Sequence, residues 1–355
     1  MGERCSFYRL ISNSKGSTVF SSINSPANNE YGDYVFWNNI KNNWEVGISE
    51  INIGANNGKV NTQKYTVSIG SFPGHIDQAT YAIAIGERAG YYYQPLSSIL
   101  IGEKAGQYNV TNNYEGNIAI GFNAGQSDQK SYTIAIGTNA GQTNQSATAI
   151  AIGQQAGQTD QQPNTIAIGE NAGQNNQQPN AVAIGENAGN TNQQQYVVAI
   201  GQNAGATYQY PQSIILNATS ATLNSYNTGL FINPIRGPVG TASMLSYNTT
   251  TKEIIFNGSS KRFKHDITDI AEDTENIYKL EPREFKYKLN NETDIGLIAE
   301  EANDCDNWFA YKDAENIPEG IQWTAINTYL IKEIQNLSKR RDNIKKQLEM
   351  LRSQV

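Results

Sequence analysis

Apolar residues recur along the chain with a fixed beat: two Ile or Val two positions apart, a Gly, a polar stretch, and the same again. Writing the unit as I-A-I-G-x-x-A-G, its first glycine falls at Gly86, Gly102, Gly121, Gly137, Gly153, Gly169, Gly185 and Gly201, at spacings of 16, 19 and then 16 five times. The same ruler reaches back to Gly70 and Gly54 and forward to Asn217 and Asn233, where the glycine is lost but the apolar residues persist. Alternation at i and i+2, as in Ile134 and Ile136, is the period of a strand, and sixteen residues are too few for two helices. The pattern predicts a stacked β-coil over 51–234, each turn a short strand, a corner and a polar return. Gly137 and Gly141 mark corners that need positive φ. The Gln-rich stretches are expected in an outer loop, where the 19-residue unit also carries its extra residues.

On this pattern the Ile and Val pairs are expected to face a continuous interior, at about 1.5–3 kcal/mol for each fully buried side chain. One coil alone would not offset its ordering entropy, so stability must come from stacking. The residue between them is Ala84, Ala119, Ala135, Ala151, Ala167, Ala183 or Ala199, with Leu100 the exception. It is expected on the opposite face, where a wetted strand would carry Thr, Lys or Glu. Small apolar residues there predict a second subunit packed on the alanine face. These repeats resemble the left-handed parallel β-roll heads of trimeric autotransporter adhesins, which carry a similar A-I-G core. The secretion signal and C-terminal membrane barrel of those adhesins have no visible counterpart, which disfavours a bacterial trimeric adhesin.

Beyond the repeats, 235–258 reads as a connector with short strands around Asn, Gly and Pro. From Ser260 the chain turns rich in Lys, Glu and Asp. It ends in heptads with Ile334, Arg341, Leu348 and Val355 at a and Leu330, Leu337, Ile344 and Leu351 at d. These predict a coiled coil over about 325–355, with Arg341 as a register-setting charge in an apolar seam.

Composition narrows the function classes. Charged residues are 17% and hydrophobic residues 38% of the chain, and the net charge is −7. There is no basic excess to attract nucleic acid or anionic lipid, so neither is expected as a partner. The first residues lack a signal-peptide core and no window reaches membrane-helix length; membrane insertion and secretion by that route are not expected. Cys5 and Cys305 stand in no motif and are expected as free thiols, and His75 and His265 alone argue against a multi-histidine metal site. No cofactor and no metal are expected.

The candidate chemistry lies near the C-terminus. The segments SSKRFKHDITDI, LEPREFKYK, DIGLIAEE and IQW, followed by the heptads, resemble the C-terminal intramolecular chaperone domain of phage endosialidases and tailspikes, a domain also attached to fibre proteins of large DNA viruses. The preceding NPIR and YNTTTKEI resemble the connector that leads into it. The resemblance implies that 259–355 assembles three chains and then cuts itself off at the Gly258-Ser259 bond. It implies Ser259 as nucleophile and Lys264 as base, supported by Gly258 and Arg262. That family usually has aspartate after the serine where this chain has Ser260, so the choice between Ser259 and Ser260 stays open. The chemistry is sound: a serine hydroxyl needs a base, a lysine can be one once burial lowers its pKa, and a glycine leaves the scissile carbonyl unshielded. His265 reads as a surface neighbour.

The fold expected is thus mainly β, a trimeric parallel β-roll or β-solenoid followed by a small α+β chaperone domain ending in a coiled coil. The function implied is a homotrimeric fibre or spike on a virion surface, made in the host cytoplasm and attaching to a host glycan or receptor. Residues 1–50, with Phe36, Trp37 and Trp44, are expected to cap the solenoid or to dock on other virion proteins. Tyr91, Tyr92 and Tyr93 are candidates for sugar or receptor contact, or for packing between subunits. A glycan-cleaving tailspike is the alternative, with Glu170 and Glu186 about 5 Å apart on successive coils. Glu87 and Glu103 repeat that position and favour an exposed polar ladder instead.

Overall fold

A computed structural model describes residues 8–12, 18–22, 34–38, 43–47, 49–58, 60–109, 114–235, 245–248, 251–256, 258–270, 274–288, 291–313 and 315–353. Side chains are described from Ser49 onward, Phe256 excepted. The chain divides into two compact units, 1–236 and 237–355.

In the first unit, twelve parallel strands from Ile51–Ala55 to Gly229–Asn233 form one sheet, each strand pairing with those one coil before and after it. Register follows the sequence ruler: Gly54 lies opposite Gly70, Ile134 opposite Ile150 and Asn217 opposite Asn233. The longer unit keeps it too, with Ile99 opposite Ile118, so the three extra residues leave the sheet intact. The backbone ladder closes coil on coil, for example Ile134 N–H to the Ala149 carbonyl at 3.0 Å. A second parallel sheet on the return path joins Thr143–Gln145, Thr159–Gln161 and Asn175–Gln177. Single bridges continue its first column from Val60 through Ile76, Tyr92, Tyr108 and Ser127 to Thr143, and from Asn175 to Thr191.

The assignment of faces is the reverse of the one expected. Ala84, Ala119, Ala135, Ala151, Ala167, Ala183 and Ala199 are fully buried inside the coil, and so is Leu100. The Ile and Val on either side point outward and are half-buried, or exposed at Ile120 and Ile200. The corner alanines, Ala140, Ala156, Ala172 and Ala188, are interior as well. The reason is width. The two sheets lie so close that Gln145, from the return strand, donates across the interior to the Ile134 carbonyl at 2.9 Å. A coil that thin has room for methyl groups and one amide per turn, not for paired isoleucines.

The outer-loop reading of the glutamines is corrected with it. Gln78, Gln94, Gln129, Gln145, Gln161, Gln177, Gln193 and Gln209 are fully buried. From Gln129 to Gln209 each donates to the side-chain oxygen of the next at 2.9–3.2 Å, an amide ladder along the core. A second, half-buried ladder runs on the return path through Gln107, Gln126, Gln142, Gln158, Gln174 and Asn190. Stacked amides satisfy the donors and acceptors that a narrow interior would otherwise strand.

Corner chemistry accounts for much of the Asn and Gly. Within one coil, Gly137, Asn139, Gly141, Asn144 and Thr148 all have positive φ, a region that Gly enters freely and Asn with little strain. A Cβ on Gly137 would meet the Gly153 carbonyl oxygen at 2.5 Å, at φ 130°. Gly137→Ala should therefore destabilise the solenoid by about 2–6 kcal/mol, strain and overpacking combined. The check is a lowered urea midpoint of the full chain.

Before the solenoid, Tyr8–Ser12 pairs antiparallel with Thr18–Ser22, and Tyr34–Asn38 with Asn43–Gly47. The side chains of Phe36, Trp37 and Trp44, on which the capping or docking expectation rests, lie outside the described residues, as does Cys5.

The second unit is small. Leu245–Tyr247 pairs with Ile254–Phe256, Arg283–Lys286 with Thr293–Gly296, and Ala310–Lys312 with Pro318–Ile321, all antiparallel. Helix α1 spans Ala299–Cys305 and helix α2 Trp323–Arg352. Ile277, Ala302, Phe309, Ile326 and Tyr329 form its core, with Leu280, Leu297, Cys305 and Ile321 packed against it. The first half of α2 is held to the unit by one stripe, Ile326, Tyr329 and Glu333. The heptad stripe is not covered: Leu330, Ile334, Leu337, Ile344, Leu348 and Leu351 are 43–65% exposed.

Candidate functional site

Ser259 lies in the second unit, shortly after the hairpin of Leu245–Tyr247 and Ile254–Phe256. Ser260 precedes a single 3-10 turn, Lys261–Phe263, and acts as its N-cap, its Oγ accepting from the Arg262 backbone N–H and from Arg262 Nε, each at 3.3 Å. The turn brings the chain round so that Lys264 Nζ donates to Ser259 Oγ at 2.8 Å. The two serines thus have different partners: Ser259 faces the lysine, Ser260 closes the turn. An N-cap hydroxyl is already engaged with backbone donors, which disfavours it as an attacking group. The sequence carries no capping-box signal for this role, since the third residue after Ser260 is Phe263 and not Glu or Gln.

Gly258 is half-buried, and Ser259 and Lys264 are exposed. Arg262 lies 5.6 Å from the Phe263 ring centroid and bonds to Ser260, so the structure brings it to the neighbouring serine rather than to Ser259. His265 is exposed and bonded to Asp266 at 2.7 Å, apart from the pair. In the bond as it stands lysine is donor and serine acceptor. For lysine to act as a base, the bond must reverse, and that requires a covered lysine without its extra proton.

A polar node tethers α2 to the 3-10 helix Thr274–Lys279. Glu333, only 2% exposed, accepts from Thr274 Oγ1 at 2.9 Å, Tyr278 OH at 3.1 Å and Asn336 Nδ2 at 3.1 Å. The hydrogen bond from Asn336 first, then those from Thr274 and Tyr278, with the charge of Arg340, hold its carboxyl below the ordinary carboxylate range against the opposing effect of burial. Desolvation and the same carboxylate push the Tyr278 hydroxyl up. A carboxyl lowered in the folded state stabilises above its unfolded pKa, and that contribution fades as pH falls through the folded value. Docking of α2 should therefore weaken below about pH 4. Glu333→Gln should flatten this acid dependence in thermal unfolding followed against pH.

On the solenoid, Glu170 and Glu186 are exposed on a corner column, and Glu186 Oε2 accepts from Gln202 at 3.0 Å. Glu87 lies 4.0 Å from Arg88, and Glu103 3.0 Å from Lys104. Tyr91, Tyr92 and Tyr93 sit side by side on the return path, with the Tyr91 and Tyr92 ring centroids 4.5 Å apart. Cys305 carries a free, half-buried thiol, its Sγ 3.4 Å from the Lys279 carbonyl. Among the described residues no helix is long and apolar enough to cross a membrane, and no cluster of metal-ligating side chains is present.

Residues 259–310 match the model of a protein family described as chaperone of endosialidase. The matched stretch begins at Ser259 and includes Arg262 and Lys264. No curated protein and no solved structure matches the chain. The chain thus carries a segment of the chaperone of endosialidase family after a parallel β-solenoid of about eleven turns, a combination that fits a fibre-type protein with its own chaperone domain.

Proposed function

We propose that three copies of this chain form a fibre or spike on a virion surface, and that the C-terminal domain guides their assembly and then removes itself by cutting the Gly258-Ser259 bond. The observation that carries the proposal is the 2.8 Å Lys264–Ser259 pair directly after Gly258, at the start of the matched segment. Lys264 takes the hydroxyl proton, and Ser259 Oγ attacks the Gly258 carbonyl carbon. The peptide C–N bond breaks as its nitrogen takes the proton, leaving Gly258 as an ester on Ser259 Oγ. Water then hydrolyses the ester to the Gly258 carboxylate and a free Ser259.

Two unpartnered surfaces support trimer assembly. The Ile and Val face of the solenoid runs unbroken over its strands, and the heptad stripe of α2 is bare. Three outward sheets meeting on a common axis would cover the first, and a three-stranded coiled coil with Arg341 in its seam would cover the second. Because Ser259 and Lys264 are exposed in a single chain, cleavage awaits neighbours that cover them. The cut is then a checkpoint on assembly, and it leaves the fibre kinetically trapped, since refolding without the aid is slow. Attachment to a host glycan or receptor belongs to the shaft, and docking on other virion proteins to 1–50. Intact-mass measurement of the expressed full-length chain is the test: fragments 1–258 and 259–355 are expected, and a whole chain in a folded trimer would overturn the cleavage step.

A further inference from the structure

The solenoid contains its own control for deciding which side chains the fold needs. Residues 137–195 contain no Phe, Tyr or Trp, yet their coils keep the register and ladders of the rest. Aromatic residues stand before and after this stretch, and on the return path of the earlier coils they replace what 137–195 carries. Tyr91 stands where the later coils have Gln142, Gln158 and Gln174, and Tyr92 and Tyr108 where they have Thr143, Thr159 and Asn175.

Backbone conformation sharpens the contrast. Asn61, Asp77, Asp128, Asn144, Asp160, Asn176 and Asn192 share a corner position of positive φ, and Tyr93 holds the same position at φ 51°. Phe72, at φ 57°, matches Asn139, Asn171 and Asn187 in the same way. Bulky aromatic residues are poorly suited to this region, so the rings stand here against local preference. Phe72, His75, Tyr91, Tyr92 and Tyr108 also form one row of touching rings, and Tyr93 is exposed next to Tyr92 in the chain. His75 and Tyr91 stack with centroids 4.9 Å apart, Tyr92 and Tyr108 stack at 5.9 Å, and Phe72 meets both His75 and Tyr91. Tyr93 and Tyr108 are 38% and 46% exposed, and the other rings are half-buried and held in place by one another.

We infer that this ring surface, Phe72, His75, Tyr91, Tyr92, Tyr93 and Tyr108, binds a neutral glycan chain. The inference rests on the attachment reading of the shaft and gives that reading a site and a ligand class. Its position fits a partner from outside the fibre. Gln145 spans from the return strand to the Ile134 carbonyl, so the return path lies across the interior from the Ile and Val face, and a trimer closed on that face leaves the rings outward. Its chemistry fits a sugar: rings to meet C–H faces, phenol hydroxyls to meet sugar hydroxyls, and a row repeating at the strand spacing of about 4.8 Å. An anionic ligand is disfavoured, because Arg88 and Lys104 on the adjoining corner are each neutralised by Glu87 and Glu103.

The test replaces the rings by the residues of the later coils: Tyr91→Gln, Tyr92→Thr, Tyr93→Asn and Tyr108→Thr together, in the full chain. Wild type and variant are titrated with neutral hexasaccharides of glucose, galactose, mannose and N-acetylglucosamine, and with heparin and sialyl-oligosaccharides as charged controls. The expected result is that wild type binds at least one neutral hexasaccharide, and that the variant binds it at least tenfold more weakly with an unchanged trimer and an undiminished Tm. Equal binding by both chains, preference for the charged sugars, no glycan bound at all, or a variant that loses trimer or Tm overturns the inference. A wild-type chain that adheres to cells while binding none of these sugars would overturn the ligand class and leave attachment standing.

Discussion

Chains carrying Ser259→Ala should remain whole on a denaturing gel, while chains carrying Ser260→Ala should be cut as fast as wild type. The contrast follows from the geometry. Lys264 Nζ is 2.8 Å from Ser259 Oγ, whereas Ser260 Oγ receives the backbone and side chain of Arg262 and caps the turn. Removing the nucleophile abolishes the step, and Lys264→Ala should slow it about 10²–10⁴-fold, the usual weight of a positioned base. Lys264→Arg keeps a cation at the position but cannot give up its proton, so it should be as slow as the alanine variant. Trimer formation by Ser259→Ala, read by sedimentation, separates a lost cut from a lost fold. Cutting in Ser259→Ala but not in Ser260→Ala would reassign the nucleophile.

The second large effect distinguishes the two faces of the solenoid strands. Ala151 is fully buried between the sheets, and Ile152 beside it points outward. Ala151→Leu should overpack the interior at about 1–3 kcal/mol per chain and lower the unfolding midpoint. Ile152→Glu should leave the coil folded and strike at association. Three isoleucines, each already half-buried in the single chain, forgo about 2–5 kcal/mol per trimer when removed from a common interface, before the added cost of three facing carboxylates. Sedimentation of Ile152→Glu is expected to show folded single chains at concentrations where wild type is trimeric. If Ala151→Leu abolished the trimer and Ile152→Glu left it intact, the assembly face would be the wrong one.

Leu100 fits the same account. It is the one large residue on the interior stripe from Ala84 to Ala199, and it is fully buried in the coil whose unit is three residues longer. A Cβ on Gly106 would lie only 2.6 Å from its Cδ1, whereas a Cβ on the matching Gly141 would meet the Gln145 side chain, so Leu100 fills the room beside the corner glycine that a core glutamine takes in other coils.

The sequence by itself determined the repeat, its strand period and its register, because a sixteen-residue beat admits one way of stacking coil on coil. It also determined the Ser259–Lys264 pairing as a candidate, since the motifs around it are specific, and the heptad stripe of α2, since spacing alone defines a helix face. Period-2 alternation separates two faces but does not say which one looks inward. Hydrophobicity pointed to the isoleucines, and the thickness of the coil chose the alanines, because both sheets must approach until an amide from one reaches a carbonyl of the other. The buried glutamine ladder was hidden for the same reason: a polar residue reads as exposed until a partner stacks on it every turn. Likewise the spacing to Lys264 favoured Ser259 but left Ser260 open. The fold of a single turn, which spends one hydroxyl on a cap and aims a lysine at the other, made them different.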